Sequence, residues 1–174
     1  MLEEISELEN KVGLPQNFFH NLTGEDDWSF VIKLNALFEA ASTHLLVSKL
    51  NVPELENNFT YLDFGNQKFG KVALLKKLEC ISKDEAKFLQ VIFELRNMLA
   101  HNIKNVNFQF SEYIESLDKN QKKSFVKAIK CGRETIQWNC TEQPREKYIL
   151  SHPKILIIIV ALDILVSMQL QQSG

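Results

Sequence analysis

The chain has 174 residues, of which 45% are hydrophobic and 24% are charged, the usual balance for a single soluble globular domain. Six glycines and four prolines are too few for a collagenous or disordered chain. The formal net charge of -2 excludes a nucleic-acid-binding protein that relies on bulk positive charge, although it leaves room for a local basic patch.

Helical patterns dominate the first hundred residues, and no pair of strands is predicted. Apolar side chains recur at spacings of three and four, which is typical of amphipathic helices. The pattern predicts helices over residues 2–12, 26–50, 71–80 and 83–101. Ser82 and Glu85 form a capping box, in which the hydroxyl and the carboxylate each bind a free amide at the start of the fourth helix. Residues 51–70 are predicted to be a linker that ends in a glycine-bounded turn, and His20 is predicted to lie in a loop.

The last third of the chain continues the helical pattern. Helices are predicted after residue 111, from 118 to 132, and from 153 onward. Asp118 and Gln121 form a second capping box, and Pro153 suits the first position of the last helix. Residues 133–151 are predicted to be a loop or a broken helix. The sequence therefore predicts an all-α fold, a single helical bundle over residues 1–174.

Three features bear on the cellular compartment. The cysteines Cys80, Cys131 and Cys140 include no C-x-x-C pair and are typical of free thiols in a reducing cytoplasm. The start of the chain is acidic and lacks the apolar run of a signal peptide. Residues 155–168 are apolar but shorter than a membrane span and interrupted by Asp163, so we expect a buried core helix. We therefore expect a cytoplasmic protein that has no membrane partner.

The stretch FLQVIFELRNMLAH, residues 88–101, contains the most informative polar side chains. At about 100° per residue, the residues on one face of the helix are apolar and those on the other are polar. The apolar face comprises Val91, Ile92, Leu95 and Leu99, and the polar stripe comprises Gln90, Glu94, Asn97 and His101. Arg96 stands between the two faces, and its long side chain can reach a ligand that also contacts His101.

Arg96, Asn97 and His101 together have the chemistry needed to cleave RNA. The imidazole of His101 exchanges a proton near neutral pH, and Asn97, four positions earlier, can orient the ring. Arg96 can bind a phosphate through two hydrogen bonds and stabilise the charge that builds on it. These groups can activate a ribose 2′-hydroxyl against its own phosphate, so no metal ion and no other cofactor is expected. The spacing alone is a weak indication, because Arg and His at a helix end also interact favourably with the helix dipole.

Arg96 also has a structural interpretation. Glu39 lies in a largely apolar run of the second helix, and Asp163 lies in the last helix. A buried carboxylate that lacks a partner is costly, and Arg96 is a candidate partner for either one. Under this alternative, Arg96 ties helices together and has no catalytic role.

The segment Arg96-Asn97-Met98-Leu99-Ala100-His101 resembles the R-x4–6-H motif of the HEPN (higher eukaryotes and prokaryotes nucleotide-binding) superfamily, in its "RN-x-x-AH" form. The surroundings are similar too: an amphipathic helix DWSFVIKLNALFEAASTHLL, a turn at Phe69-Gly70-Lys71, and then the helix that carries the motif. This layout is most similar to the mannitol-repressor-like branch. The resemblance covers a core of about residues 26–107, and residues 108–174 would be a C-terminal helical extension.

The resemblance implies a homodimer that brings two R-x4-H motifs together in one cleft. In many members this cleft is a metal-independent endoribonuclease, often the toxin of a toxin–antitoxin or antiphage system. Arg96 would then hold the scissile phosphate, His101 would act as acid or base, and Asn97 would fill the polar position after the arginine. The mannitol-repressor-like branch implies an alternative, a non-catalytic regulator that binds another protein. Expected partners are thus a second copy of the chain, RNA, and a protein antitoxin or regulatory partner.

Lysines along the basic helix suggest an RNA-binding stripe. Lys123, Lys127 and Lys130 are spaced four and three residues apart, so they share one face. A solvated surface is the simpler explanation of this pattern. No His or Cys pair has metal-ligand spacing, so no metal site is predicted.

Overall fold

The computed structural model describes residues 6–7, 9–10, 13–132 and 142–172. Within these ranges the chain forms a single-domain bundle of helices and contains no strand, which confirms the predicted all-α class. From residue 18 onward, the described part of the chain contains nine α-helices: α1 (Phe18–Gly24), α2 (Asp27–Leu50), α3 (Glu56–Tyr61), α4 (Lys71–Lys77), α5 (Lys83–Ala100), α6 (Phe110–Ser116), α7 (Lys119–Lys130), α8 (Glu142–Ser151) and α9 (Pro153–Gln172). Two short 3-10 helices cover Pro53–Leu55 and Ile103–Asn107.

The long helix α2 lies at the centre of the bundle, and α3, α4, α5 and α9 pack against it. Its apolar residues recur at spacings of three and four, so they form a face that is withdrawn from water. The most completely buried of them are Phe30, Val31, Leu34, Phe38 and Leu45. The ring of Phe38 meets that of Phe88 on α5 edge to face, at 6.1 Å between centroids. This packing places α5, which carries the R-x4-H motif, directly beside α2.

The predicted helix starts are present in the structure. Asp26 caps α2 by accepting hydrogen bonds from Ser29, from the backbone N at 2.8 Å and from Oγ at 2.6 Å, and these bonds lower the pKa of Asp26. At the start of α5, Ser82 Oγ accepts from Glu85 N at 3.1 Å and Ser82 N donates to Glu85 Oε2 at 2.8 Å. The capping box of Asp118 at the start of α7 is formed as well. Capping is predictable because all of its partners lie within three residues.

Three helices occupy segments for which the sequence predicted a loop, a linker, and a loop or broken helix. Helix α1 contains His20, which was expected to lie in a loop. Its first turn is capped from a distance, since the carboxylate of Glu9 accepts hydrogen bonds from the backbone amides of Asn17 and Phe19, both at 3.0 Å. Helix α3 lies within the predicted linker, and α8 occupies part of the segment that was predicted to be a loop or a broken helix.

Helices α2 and α9 are long and apolar enough to cross a membrane by length and composition, and they are the two in the described ranges that meet this test. Half of the apolar window of each is buried inside the bundle, which is also true of core helices in soluble proteins. The apolar run over residues 155–168, which is shorter than a span, lies within a longer helix, because α9 has 20 residues. Its inner side chains, including Ile157, Ala161 and Ile164, are fully buried, as predicted for a core helix.

A compact turn over residues 63–70 connects α3 to α4. Asn66 organises it, because its side-chain Oδ1 accepts from the amides of Lys68 and Phe69, both at 3.0 Å, and its carbonyl accepts from Gly70 N at 2.8 Å. Gly70 lies so close to this backbone that an added Cβ would be 2.6 Å from Asn66 O and 2.8 Å from Asp63 O. The glycine is therefore required by a close approach of backbone atoms.

Replacing Gly70 with alanine tests this packing. We expect Gly70→Ala to destabilise the protein by about 1–3 kcal/mol, since the methyl group collides with backbone that cannot move aside. The measurement is urea unfolding followed by circular dichroism. Gly24→Ala is the matched control, because an added Cβ there meets nothing within 4 Å. Equal unfolding midpoints for the two variants would contradict the assignment.

Candidate functional site

The motif occupies the last turn of α5 and the residue that follows it. Arg96 and Asn97 lie within the helix, and His101 is its C-terminal cap, with its backbone N donating to Asn97 O at 3.2 Å. The opposite face of α5 is buried, through Phe88, Leu89, Ile92, Leu95 and Leu99. Helical periodicity thus fixes the orientation of the motif, because the apolar face must turn toward α2.

The polar stripe predicted along α5 is accessible to solvent. Glu94 and His101 are exposed, and Gln90 and Asn97 are half-buried. Gln90 Nε2 donates to Glu94 Oε1 at 3.0 Å, so two members of the stripe are joined.

Arg96 points away from His101 toward the neighbouring helix. At about 100° per residue the two positions lie roughly 140° apart around the axis of α5. Arg96 Nη2 lies 3.7 Å from Glu39 Oε1 on α2, and Nη1 donates to Asn97 Oδ1 at 3.0 Å. The side chains of Arg96 and Glu39 retain 36% and 32% of their exposure, so the pair is partly open to water. The ion pair with Glu39 that was considered from sequence is therefore formed.

Glu39 is also bound from within its own helix. Asn35, one turn earlier and 1% exposed, donates from Nδ2 to Glu39 Oε1 at 2.6 Å. The same carboxylate oxygen thus contacts both an amide and a guanidinium. Asn35 Oδ1 and Ser42 Oγ are buried and have no hydrogen-bond partner among the described residues, so the polar side of α2 is not fully satisfied there. Such a cluster is costly to bury and fixes the way α5 and α2 face each other.

Lys71 joins the turn to the same side of α2. Its side chain is 2% exposed, and its Nζ donates to Thr43 Oγ1 at 2.9 Å and to Thr60 O at 3.2 Å. Burial lowers the pKa of Lys71, and the negative charge of Glu39 opposes that effect. The polar cluster formed by Asn35, Glu39, Lys71 and Arg96 therefore connects α2, α4 and α5, and we call it the polar seam.

Asp163 is exposed, in contrast to the burial that the sequence suggested. The sequence suggested a buried carboxylate that Arg96 could neutralise, but the Asp163 side chain is exposed on α9. The burial that was expected for Asp163 is therefore wrong, and its pairing with Arg96 stays a prediction.

The three lysines of the predicted RNA-binding stripe lie on α7, outside the polar seam. Lys123 and Lys127 are exposed, whereas Lys130 Nζ lies 4.0 Å from Glu146 Oε1 on α8. The end of α7 approaches the start of α5, because a Cβ on Gly132 would be 2.9 Å from Asp84 Oδ2. Arg96 follows Asp84 by twelve residues, about 18 Å along the helix. The structure therefore places Lys130 far from the motif.

Comparison with protein-family models, with curated proteins and with solved structures gives no match. In the described part of the chain, no group of three His, Cys, Asp or Glu side chains is placed to hold a metal ion. Cys80 and Cys131 are buried, and Cys140 lies outside the described residues.

Two residues of the seam were missed from sequence. Asn35 falls within the apolar stripe of α2, and only its position four residues before Glu39 could have indicated the contact. Lys71 was noted as part of the turn, but its burial was not expected because lysine is almost never fully buried without partners. The available signal was its place at the first position of a helix, directly after Gly70, which brings the backbone close.

Removing the guanidinium of Arg96 tests how far the protein relies on it for folding. Because the ion pair with Glu39 is about one-third exposed, we expect Arg96→Ala to cost about 1 kcal/mol and to leave the protein folded. A double-mutant cycle with Glu39→Gln should give a coupling energy below about 1 kcal/mol in urea unfolding. An unfolded Arg96→Ala protein would show instead that the arginine is chiefly a structural clamp.

Lys71 predicts a pH dependence of stability. Its pKa in the folded state lies below the ordinary value of 10.5, so the folded protein loses this proton before the unfolded chain does. The contribution of Lys71 to the free energy of unfolding is therefore lowest at neutral pH. It rises with pH, from the lowered pKa up to about 10.5. We expect the unfolding free energy of the wild type minus that of Lys71→Met to increase over this window. Urea unfolding at a series of pH values measures it.

Lys76→Met, which replaces an exposed lysine on the same helix, is the matched control. If the pH course of the Lys71→Met difference is the same as that of the control, the buried lysine does not titrate in the way the structure indicates.

Proposed function

We propose that the protein is a HEPN-like endoribonuclease that works without a metal ion, with its site formed between two copies of the chain. The observation that carries this proposal is the solvent access of the motif. His101 is exposed at the end of α5, and 36% of the Arg96 side chain remains accessible five residues earlier. A substrate phosphate can therefore approach either residue from solvent.

The proposed reaction uses groups that the chain itself provides. His101 removes the proton from a ribose 2′-hydroxyl, and the 2′-oxygen attacks the adjacent phosphorus. The bond from phosphorus to the 5′-oxygen breaks, and that oxygen takes up a proton, which leaves a 2′,3′-cyclic phosphate and a 5′-hydroxyl. Arg96 stabilises the negative charge on the phosphate oxygens, and Asn97 supplies a polar contact beside it.

A second copy of the chain supports this chemistry in two ways. Within one chain the side chain of Arg96 points toward α2, whereas His101 lies on the other side of α5. A second chain can therefore supply the acid or base that Arg96 lacks on its own side of the helix. Apolar side chains also lie exposed beside the motif: Met98 at 42%, Ile103 at 81% and Val106 at 46%. Exposed apolar clusters of this kind mark interaction surfaces, and a two-fold contact here would bring the two motifs together.

The biological setting follows from the resemblance. A cytoplasmic ribonuclease of this type would act in defence, in a toxin–antitoxin pair or in stress control, with a protein antitoxin as partner. The lysines Lys123, Lys127 and Lys130 stay a predicted contact for RNA.

The polar seam favours a second candidate function. Arg96 is held by Glu39 and Asn97, which is the arrangement expected if the motif stabilises the bundle. The protein would then be a non-catalytic regulator of the mannitol-repressor-like type that acts by binding another protein.

Incubation with RNA separates the two functions. We expect the purified wild type to cleave a labelled single-stranded RNA in the presence of EDTA, and we expect Arg96→Ala and His101→Ala each to lose at least about 100-fold in rate. Gel electrophoresis of the products is the measurement. Equal survival of RNA with wild type and variants would contradict the ribonuclease function and leave the non-catalytic regulator as the remaining proposal.

Mixing the two inactive variants tests whether the site is shared. If Arg96 of one chain works with His101 of the other, half of the randomly formed dimers are mixed and each regains one intact site, so about a quarter of the activity returns. A mixture as inactive as its components would place both residues of a working site in the same chain.

A further inference from the structure

A groove of about 370 Å³ lies between α4 and α5, beside the turn over residues 63–70. Its polar lining residues are Lys76, Lys83, Lys87, Asn66, Gln67 and Gln90. The remaining lining residues are small or apolar, and no acidic residue lines the groove. Three cations and three amides around one concave surface suit a ligand that has both negative charge and hydrogen-bonding edges.

The lysines of this groove are available to a ligand from solvent. Lys76 and Lys83 are exposed. Lys87 Nζ lies 3.3 Å from Asp84 Oδ1, and the two side chains are 55% and 44% exposed. Water screens an ion pair of that exposure, so a phosphate can compete with Asp84 for the lysine.

An aromatic side chain in the adjoining turn favours nucleic acid over an acidic protein. Phe69 is 71% exposed, although apolar rings of this size are usually withdrawn from water. Asn66, which lines the groove, accepts a hydrogen bond from the backbone of Phe69 at 3.0 Å, so the two residues belong to one rigid turn. Exposed aromatic rings beside lysines are the usual means of binding single-stranded RNA, because bases stack on the ring while lysines contact phosphates.

The groove is continuous with the candidate catalytic end of α5. Positions 83, 87, 90, 94, 97 and 101 all fall within about 40° of one line along the helix, because their spacings alternate between four and three. Lys87 and His101 are fourteen residues apart on this line, about 21 Å. A single strand that lies in the groove and follows α5 therefore arrives at His101.

We propose that this groove binds the phosphate backbone of single-stranded RNA and that the strand continues along α5 to His101. The inference rests on the proposed ribonuclease function, for which it supplies the substrate-binding track. One acidic residue, Glu94, lies on the path between the groove and His101, and its carboxylate repels a passing phosphate. The track thus predicts a gain in affinity when Glu94 is neutralised.

The experiment measures binding separately from cleavage, in a His101→Ala background. A fluorescein-labelled single-stranded RNA of about 20 nucleotides is titrated by anisotropy at several salt concentrations between about 50 and 200 mM. The groove variant is Lys76→Gln/Lys83→Gln/Lys87→Gln. Its matched control is Lys49→Gln/Lys119→Gln/Lys147→Gln, which removes the same charge from exposed lysines outside the groove and outside the predicted stripe on α7. Circular dichroism verifies that both variants keep their helical content.

We expect the groove variant to bind RNA at least about tenfold more weakly, and its slope of log affinity against log salt to be shallower by about 2. The control should stay within about twofold of the parent, and Glu94→Gln should bind about two- to threefold more tightly. Equal losses in the two lysine variants, a larger loss in the control variant or no gain with Glu94→Gln would overturn the track. Competition by polyglutamate as effective as that by unlabelled RNA would assign the groove to an acidic protein instead.

The failure of this inference differs from the failure of the proposed function. If the protein cleaves RNA but the groove substitutions have no effect, the ribonuclease function is supported and the binding track is contradicted. If RNA binding depends on the groove but the protein that retains His101 does not cleave, the binding track is supported and the ribonuclease function is contradicted.

Discussion

The structure around the motif depends on one row of polar residues on α2. Asn35, Glu39 and Thr43 follow one another at intervals of four on α2, so they form a single row. Glu39 contacts Arg96 of α5, and Thr43 accepts a hydrogen bond from Lys71 of α4. Apolar surfaces can slide over one another at small cost, but a buried lysine has few positions in which its donors are satisfied. The row therefore sets the register of both helices against α2.

Long helices and their starts could be predicted because their causes are local. Asp26, Ser82 and Asp118 bind amides within three residues, and the apolar periodicity extends over several turns. Helix α1 could not be predicted in this way. The backbone amides at its start donate to Glu9, eight and ten residues earlier in the chain. The local sequence pattern does not indicate such a distant partner, because this cap is a tertiary contact.

The same distinction applies to the site. The exposed stripe that includes Asn97 and His101 followed from the helical period, since the opposite face had to be buried. The helical period did not predict the direction of the Arg96 side chain, because position 96 lies at the border of the two faces. Contact with the neighbouring helix determines that direction. Glu39 was recognised as a candidate partner from its apolar surroundings, whereas Asp163, judged by the same criterion, is exposed. Hydrophobic context alone does not reveal which side of a helix meets water.

The contact of Arg96 with Glu39 is compatible with a catalytic role. A guanidinium carries five N–H donors, and the contacts with Glu39 and Asn97 account for part of them while a third of the side chain faces solvent. A carboxylate that holds the guanidinium reduces its rotational freedom, so less entropy is lost when a phosphate binds to the remaining donors. The imidazole, by contrast, lies on the other side of α5 and is not oriented toward the same phosphate by its own chain. The arginine is therefore positioned within one chain, and under the proposed ribonuclease function a second copy would supply the acid or base that completes the site.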